Sequence, residues 1–282
     1  MTEATLAKAG VTGVLPTPLD VVAAAAQITQ IIDISQLPED LARQKPPALR
    51  RILGALLHRE RVAFVDFGEN QPRARLTQAH EIGHKIIPWH EAPLQLDDIE
   101  RLLGQTYEQL EVEAYLAGGH LLFQGPRFHR QAMDYRVSIE TPMVLADDFG
   151  ASRHATIRYY VTHHPDAVAL LVAGVYPKRD GTIPVWRTVE SPAFLRRFGC
   201  LAERMGGSIA IERGDARPLG DIVHRAMTAS EVAAKELWIP DLRGERKDFV
   251  AEAFCNTRNV LVMVSESKAR RRIARAVRVA AS

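Results

Sequence analysis

The feature that most constrains this chain is a five-residue spacing, His80-Glu81-Ile82-Gly83-His84. In a helix, residues four apart stack on one face, so both imidazoles reach a common point while Glu81 is rotated away from them. Two converging imidazole nitrogens suit a divalent metal, zinc first, and a glutamate beside them can handle the proton of a water molecule. The surroundings agree with a packed helix. Ile82 and Gly83 are uncharged, Ile86 extends the apolar stripe, and Pro88 closes a helix predicted over Arg75 to Ile87. Lys85 interrupts the pattern and is expected on the exposed side. The plain alternative is a surface helix with two solvated histidines.

A catalytic zinc normally takes three protein ligands. The natural source of the third is the next helix, predicted from a cap at Asp97 or Asp98 to about Leu122 and stopped by Gln124-Gly125-Pro126. It offers Glu108, Glu111 and Glu113. Glu111 and Glu113 stand about 200° apart on a regular helix, so both cannot face one ion. The residues alone leave the choice open.

The stretch Arg75-Leu-Thr-Gln-Ala-His80-Glu81-Ile-Gly-His84, followed by Glu111-Val-Glu-Ala114-Tyr-Leu-Ala-Gly-Gly-His-Leu121-Leu122, resembles the ImmA/IrrE family of zinc endopeptidases. That family carries T-x-A-H-E-x-G-H and then E-x-E-A-N-x-F-A-A-E-L-L-M-P. The segment Leu15-Pro-Thr-Pro-Leu-Asp-Val-Val-Ala and the strand before the first motif also fit, so the resemblance runs from about Val14 to a helix-turn-helix-like segment. It implies His80, His84 and Glu111 as metal ligands, Glu81 as the general base, and zinc as the metal; by donor chemistry alone, manganese can take the place of zinc in such a site. It further implies a regulatory endopeptidase that cleaves a helix-turn-helix transcriptional repressor in a stress response or mobile-element switch. The sequence departs from the family at Tyr115, Ala117, His120 and Gln124, which stand for Asn, Phe, Glu and Pro. Such an enzyme also needs a group that stabilises the oxyanion. Tyr107, Tyr115, His90 and His120 are near in sequence, and His120, in place of the family's glutamate, is the one selected.

The expected fold is α+β in three parts: a zincin-like peptidase domain over 1–135, a helix-turn-helix-like segment over 136–165, and a C-terminal α/β regulatory domain over 166–282. In the first part, helices are predicted at Val21 to Ile32 and Pro47 to His58, with a strand at Arg61 to Phe67 and a turn over Gly68 to Pro72. In the second, Thr141 and Ser152 are read as helix caps. There Arg153, His154 and Arg158 would form a DNA-reading face, but Asp147 and Asp148 would oppose the phosphates, so DNA contact is not favoured. The third has strand-like runs at Val168 to Tyr176, Ile183 to Thr188, Ser208 to Glu212 and Val260 to Val264, and a basic helix at Lys268 to Val277. By analogy with longer members of the similar family, it is expected to be a GAF-like sensor.

Composition narrows the setting. The formal net charge is only +2, which gives no global pull toward nucleic acid or membrane. Cys200 and Cys255 form neither a disulfide framework nor a paired metal spacing. There is no basic segment followed by an apolar one at the start, and runs such as Ala167 to Tyr176 are too short to span a bilayer. A cytoplasmic protein without membrane contact is expected. The competing class is a non-catalytic DNA-binding transcriptional regulator with a structural or vestigial zinc site. The intact Glu81 argues against it, since a bare scaffold has no use for that residue.

Overall fold

The computed structural model describes residues 1–36, 54–68, 70–91, 105–179, 182–205, 208–210, 218–228 and 232–269. The fold is α+β, and the chain divides into two compact units. The first comprises Met1–Phe128 with Asp147–Ser152, and the second His129–Ala146 with Arg153–Ser282. The stretch expected as a separate helix-turn-helix segment is therefore shared between both units. Among the described residues, no helix is long and apolar enough to cross a membrane.

In the first unit, helices α1 (Thr2–Lys8) and α2 (Leu19–Ala25) lead into a small sheet of β1 (Gln30–Asp33), β2 (Gly54–Leu57) and β3 (Val62–Val65). Its order is β1-β3-β2, with β1 parallel and β2 antiparallel to β3. Ala63 and Val65 alternate into the core with partly exposed neighbours, as a half-buried strand requires. The helix expected over Pro47 to His58 does not form at its described end: Gly54 to Leu57 is a strand, in register from Gly54 opposite Val65 to Leu57 opposite Val62. Glycine is a poor helix former, and pairing with β3 overrides the apolar spacing that suggested a helix. The earlier part of that prediction lies outside the described residues.

Helix α3 (Gln71–Ile86) packs on β2 and β3. It begins earlier than expected because the Asn70 side chain accepts from the Arg73 amide at 3.0 Å and Pro72 sits in the first turn. Helix α4 (Gln105–Phe123) lies antiparallel against it. The Asp97 or Asp98 cap proposed for this helix lies outside the described residues. The two helices meet on small residues. A Cβ on Gly83 would stand 2.6 Å from the Ala114 carbonyl oxygen, and one on Gly118 would stand 2.8 Å from the His80 nitrogen. Only glycine admits backbones this close. Gln124, at φ 51, closes α4. Its amide donates to the Val14 carbonyl at 2.8 Å and accepts from the Gly13 amide at 2.8 Å, tying the N-terminal segment to the end of α4.

Helix α5 (Pro126–Met133) and helix α6 (Glu140–Phe149) follow. Thr141 lies inside α6 rather than capping it. Instead the Ser138 hydroxyl accepts from the Glu140 amide at 3.2 Å, and the buried Glu252 carboxylate accepts from the Ile139 amide at 3.0 Å. After the turn at Gly150, α7 (Arg153–Thr162) packs on strands of the second unit.

That unit is built on one antiparallel sheet of order β6-β5-β4-β9-β8-β7. Its strands are β4 (Val168–Ala173), β5 (Thr182–Glu190), β6 (Ser208–Ala210), β7 (Ala233–Pro240), β8 (Arg246–Cys255) and β9 (Val260–Glu266). Every residue of β4 and β9 is buried, so both faces of the sheet centre are covered. Helices α8 (Pro192–Phe198), α9 (Leu201–Met205) and α10 (Pro218–Thr228) complete it. Phe194, Phe198 and Phe249 stack within a core that includes Leu171, Ile222 and Val262. Because neighbouring strands all run antiparallel, this unit is α+β rather than the expected α/β. The predicted basic C-terminal helix falls almost wholly outside the described residues.

Candidate metal centre

The close seam between α3 and α4 brings three side chains to one point. His80 and His84, one turn apart on α3, direct their Nε2 atoms to within 3.1 Å of each other. Glu111 on α4 reaches both, with Oε2 3.3 Å from His80 Nε2 and Oε1 3.4 Å from His84 Nε2. Among the described residues these form the group able to hold a metal ion. The spacing fits the group in question. Ligands at about 2.0–2.1 Å around a tetrahedral ion stand about 3.4 Å apart, close to the three edges found here. Access is present too, since Glu111 is 38% exposed while the histidines are mostly covered.

Electrostatics prepare the imidazoles for that role. His84 is pushed down to about 3, first by burial and then by the neighbouring His80, His90 and His58. His80 is lowered as well, burial outweighing the pull of Glu111. Both rings are thus neutral near pH 7, the form that offers a lone pair.

Glu81, next to His80 on α3, is 5% exposed. A Cβ on Gly54 would stand 2.6 Å from Glu81 Oε1 and 2.5 Å from Thr77 Cγ2. The glycine at the start of β2 therefore leaves the space the carboxylate occupies. Burial, with the charge of Glu111 adding to it, pushes the Glu81 carboxyl up to about 8.

Glu113, the alternative third ligand, does not join the triangle. Its Oε2 accepts from Trp89 Nε1 at 2.7 Å and lies 3.2 Å from His90 Nε2. Glu108 is exposed near the start of α4. His90, one of the oxyanion candidates, lies behind His84 at 2.9 Å between their Nδ1 atoms, its side chain 1% exposed. His120 is nine residues beyond Glu111 on the same helix, about 13 Å along the axis, and its ring lies against Gly125. The structure does not bring it to the triad. Tyr115 is one turn beyond Glu111 and half-buried, and Tyr107 belongs to the first turn of α4. Lys85 departs from expectation. Its side chain is 7% exposed, and its ammonium donates to Glu91 at 3.1 Å and to the His58 carbonyl at 3.3 Å.

The proposed DNA-reading residues Arg153, His154 and Arg158 are each half-buried on α7. Arg153 lies over the Phe254 ring, 5.7 Å from its centroid.

Neither a family model nor a curated protein matches this chain. Among solved structures it is similar to a Mycobacterium tuberculosis transcriptional regulator, with a TM-score of 0.53, 15% identity, and coverage of 95% of this chain and 76% of that one. That likeness is one of fold. The structure of RsLOV d2 variant overlaps 39% of this chain and 64% of that chain at 18% identity, with a TM-score of 0.27 that carries no argument.

Proposed function

We propose that this protein is a zinc-dependent endopeptidase of the ImmA/IrrE kind, acting on a protein substrate, with a helix-turn-helix transcriptional repressor as the substrate class. The observation that supports it is the pairing of a ligand-spaced His80, His84 and Glu111 with a buried glutamate next to the first histidine. A zinc ion held by these three residues would supply Lewis acidity and a water of lowered pKa. The rest of the work belongs to the chain. Glu81 takes a proton from the attacking water at a carboxylate oxygen and returns it to the leaving amine nitrogen. The wall formed by β2 at Gly54 holds the carboxylate in place. The second unit, a six-stranded antiparallel sheet flanked by helices, is read as the GAF-like regulatory module.

The competing reading is a DNA-binding transcriptional regulator; the M. tuberculosis neighbour is described as a transcriptional regulator. The half-buried placement of Arg153, His154 and Arg158 gives it little support. The two are separated by Glu81→Gln. That variant should keep the metal and fold but lose cleavage of the repressor by about 10²–10⁴-fold, since an amide accepts no proton from water at neutral pH. Equal action of wild type and variant on the repressor's operon, with both shifting its promoter DNA, would establish the regulator instead.

A further inference from the structure

Behind the donor triangle runs a second line of polar groups. His84 Nδ1 lies 2.9 Å from His90 Nδ1, and His90 Nε2 lies 3.2 Å from Glu113 Oε2. The Glu113 carboxylate is fixed from two further directions, by Trp89 Nε1 at 2.7 Å and Gln109 Nε2 at 2.9 Å. The proton order along this line is set from its outer end. A carboxylate only accepts, so His90 Nε2 carries hydrogen and donates to Glu113. In the neutral ring His90 Nδ1 is then bare and accepts, so His84 Nδ1 must carry hydrogen. The lone pair of His84 is left on Nε2, the atom that faces Glu111 and His80. The reverse order would set the bare Nε2 of His90 against the Glu113 carboxylate, two acceptors in contact.

We propose that His90 and Glu113 are positioning residues of the metal centre, acting in series to hold His84 as the Nδ1–H tautomer with Nε2 ready to ligate. The inference rests on the metal-centre reading above and gives the second acid of the Glu111-Val112-Glu113 pair its own task. Outer partners of this kind orient the ring and raise its basicity. The His90 ring, almost wholly enclosed, transmits the orientation from a carboxylate that cannot itself reach His84.

The test uses the full chain with His90→Phe, which keeps a ring but removes the acceptor, and His90→Asn, whose carbonyl can take the place of Nδ1. Zn²⁺ affinity is read by chelator competition, and long-range ¹H–¹⁵N spectra of ¹⁵N-histidine protein read the tautomers. His90→Phe is expected to weaken Zn²⁺ binding by about 10- to 100-fold, with His90→Asn recovering a clear part of the loss. Wild type should show His90 protonated on Nε2, and His84 on Nδ1 when loaded. Equal weakening by both variants, unchanged affinity in both, or a proton on His90 Nδ1 in metal-free wild type would overturn the proposal. The metal-free spectrum decides even if His90→Phe fails to fold. Failure of wild type to bind Zn²⁺ removes the metal-centre reading and this one together, whereas tight wild-type binding indifferent to His90 removes only this one.

Discussion

Replacing Gly83 by alanine tests how the centre is assembled. The added Cβ would stand 2.6 Å from the Ala114 carbonyl oxygen, while ordinary contact begins at 3.4 Å, so α3 and α4 must part by up to about 0.8 Å. The obstacle is backbone, which cannot swing aside as a side-chain tip can. Taken alone, Gly→Ala inside a helix stabilises by about 1 kcal/mol. Forcing extra volume into a packed seam costs about 1–3 kcal/mol, so the net change is expected to be destabilising by up to about 2 kcal/mol. The same separation would stretch the 3.3 and 3.4 Å edges from Glu111 to the histidines toward 4 Å, beyond what a tetrahedral ion spans. Strain of this size lowers an affinity by roughly 10- to 100-fold. Denaturant unfolding of metal-free protein and chelator competition for Zn²⁺ measure the two effects. A variant about 1 kcal/mol more stable than wild type, with unaltered metal affinity, would refute the reasoning.

Gly54→Ala should displace the Glu81 carboxylate, which a Cβ would approach to 2.6 Å. Peptide hydrolysis should fall by about tenfold or more while the metal content stays at the wild-type level, a split checked by parallel activity and elemental assays. In the second unit, burial pushes Glu266 up, but Arg197, at 2.9 Å between Nη2 and Oε1, and Lys268 outweigh it and hold the carboxyl below its ordinary value of 4.5. A depressed carboxyl contributes stability above its unfolded pKa and loses it as pH falls. Arg197→Ala should therefore cost about 1–2 kcal/mol near pH 7, discounted for the partial exposure of Arg197, and flatten the loss of stability below pH 4.5 in denaturation curves.

The histidine pair was legible because i and i+4 side chains converge on one face of a helix and Pro88 ends that helix locally; its start was not, because the Asn70 cap and Pro72 were read as a turn. Choosing Glu111 over Glu113 needed the resemblance, since helical spacing says that only one faces the ion without saying which. The roles of His90 and Glu113 were hidden because they meet through a contact between separate elements. A sign of the seam was present, in Ala79 and Gly83 matched by Ala114 and Gly118, small residues four apart on both helices. β2 was misread because leucines in a short segment serve a strand or a helix equally, and pairing with β3 decides. In the second unit the fully buried β4 and β9 announced themselves as continuous apolar runs. The edge strand β7, mixed in polarity from Ala233 to Pro240, gave no such signal, and neither did β8.

Metal content is the most direct test of the centre formed by His80, His84 and Glu111. Wild type, Glu81→Gln and Glu111→Ala, purified without chelator and titrated with Zn²⁺, should bind one ion per chain, one ion per chain, and markedly less, because Glu111 closes the ligand triangle and Glu81 lies outside it. Wild type that holds less than about a tenth of an equivalent and takes up none on titration would contradict the centre that these residues are read to form.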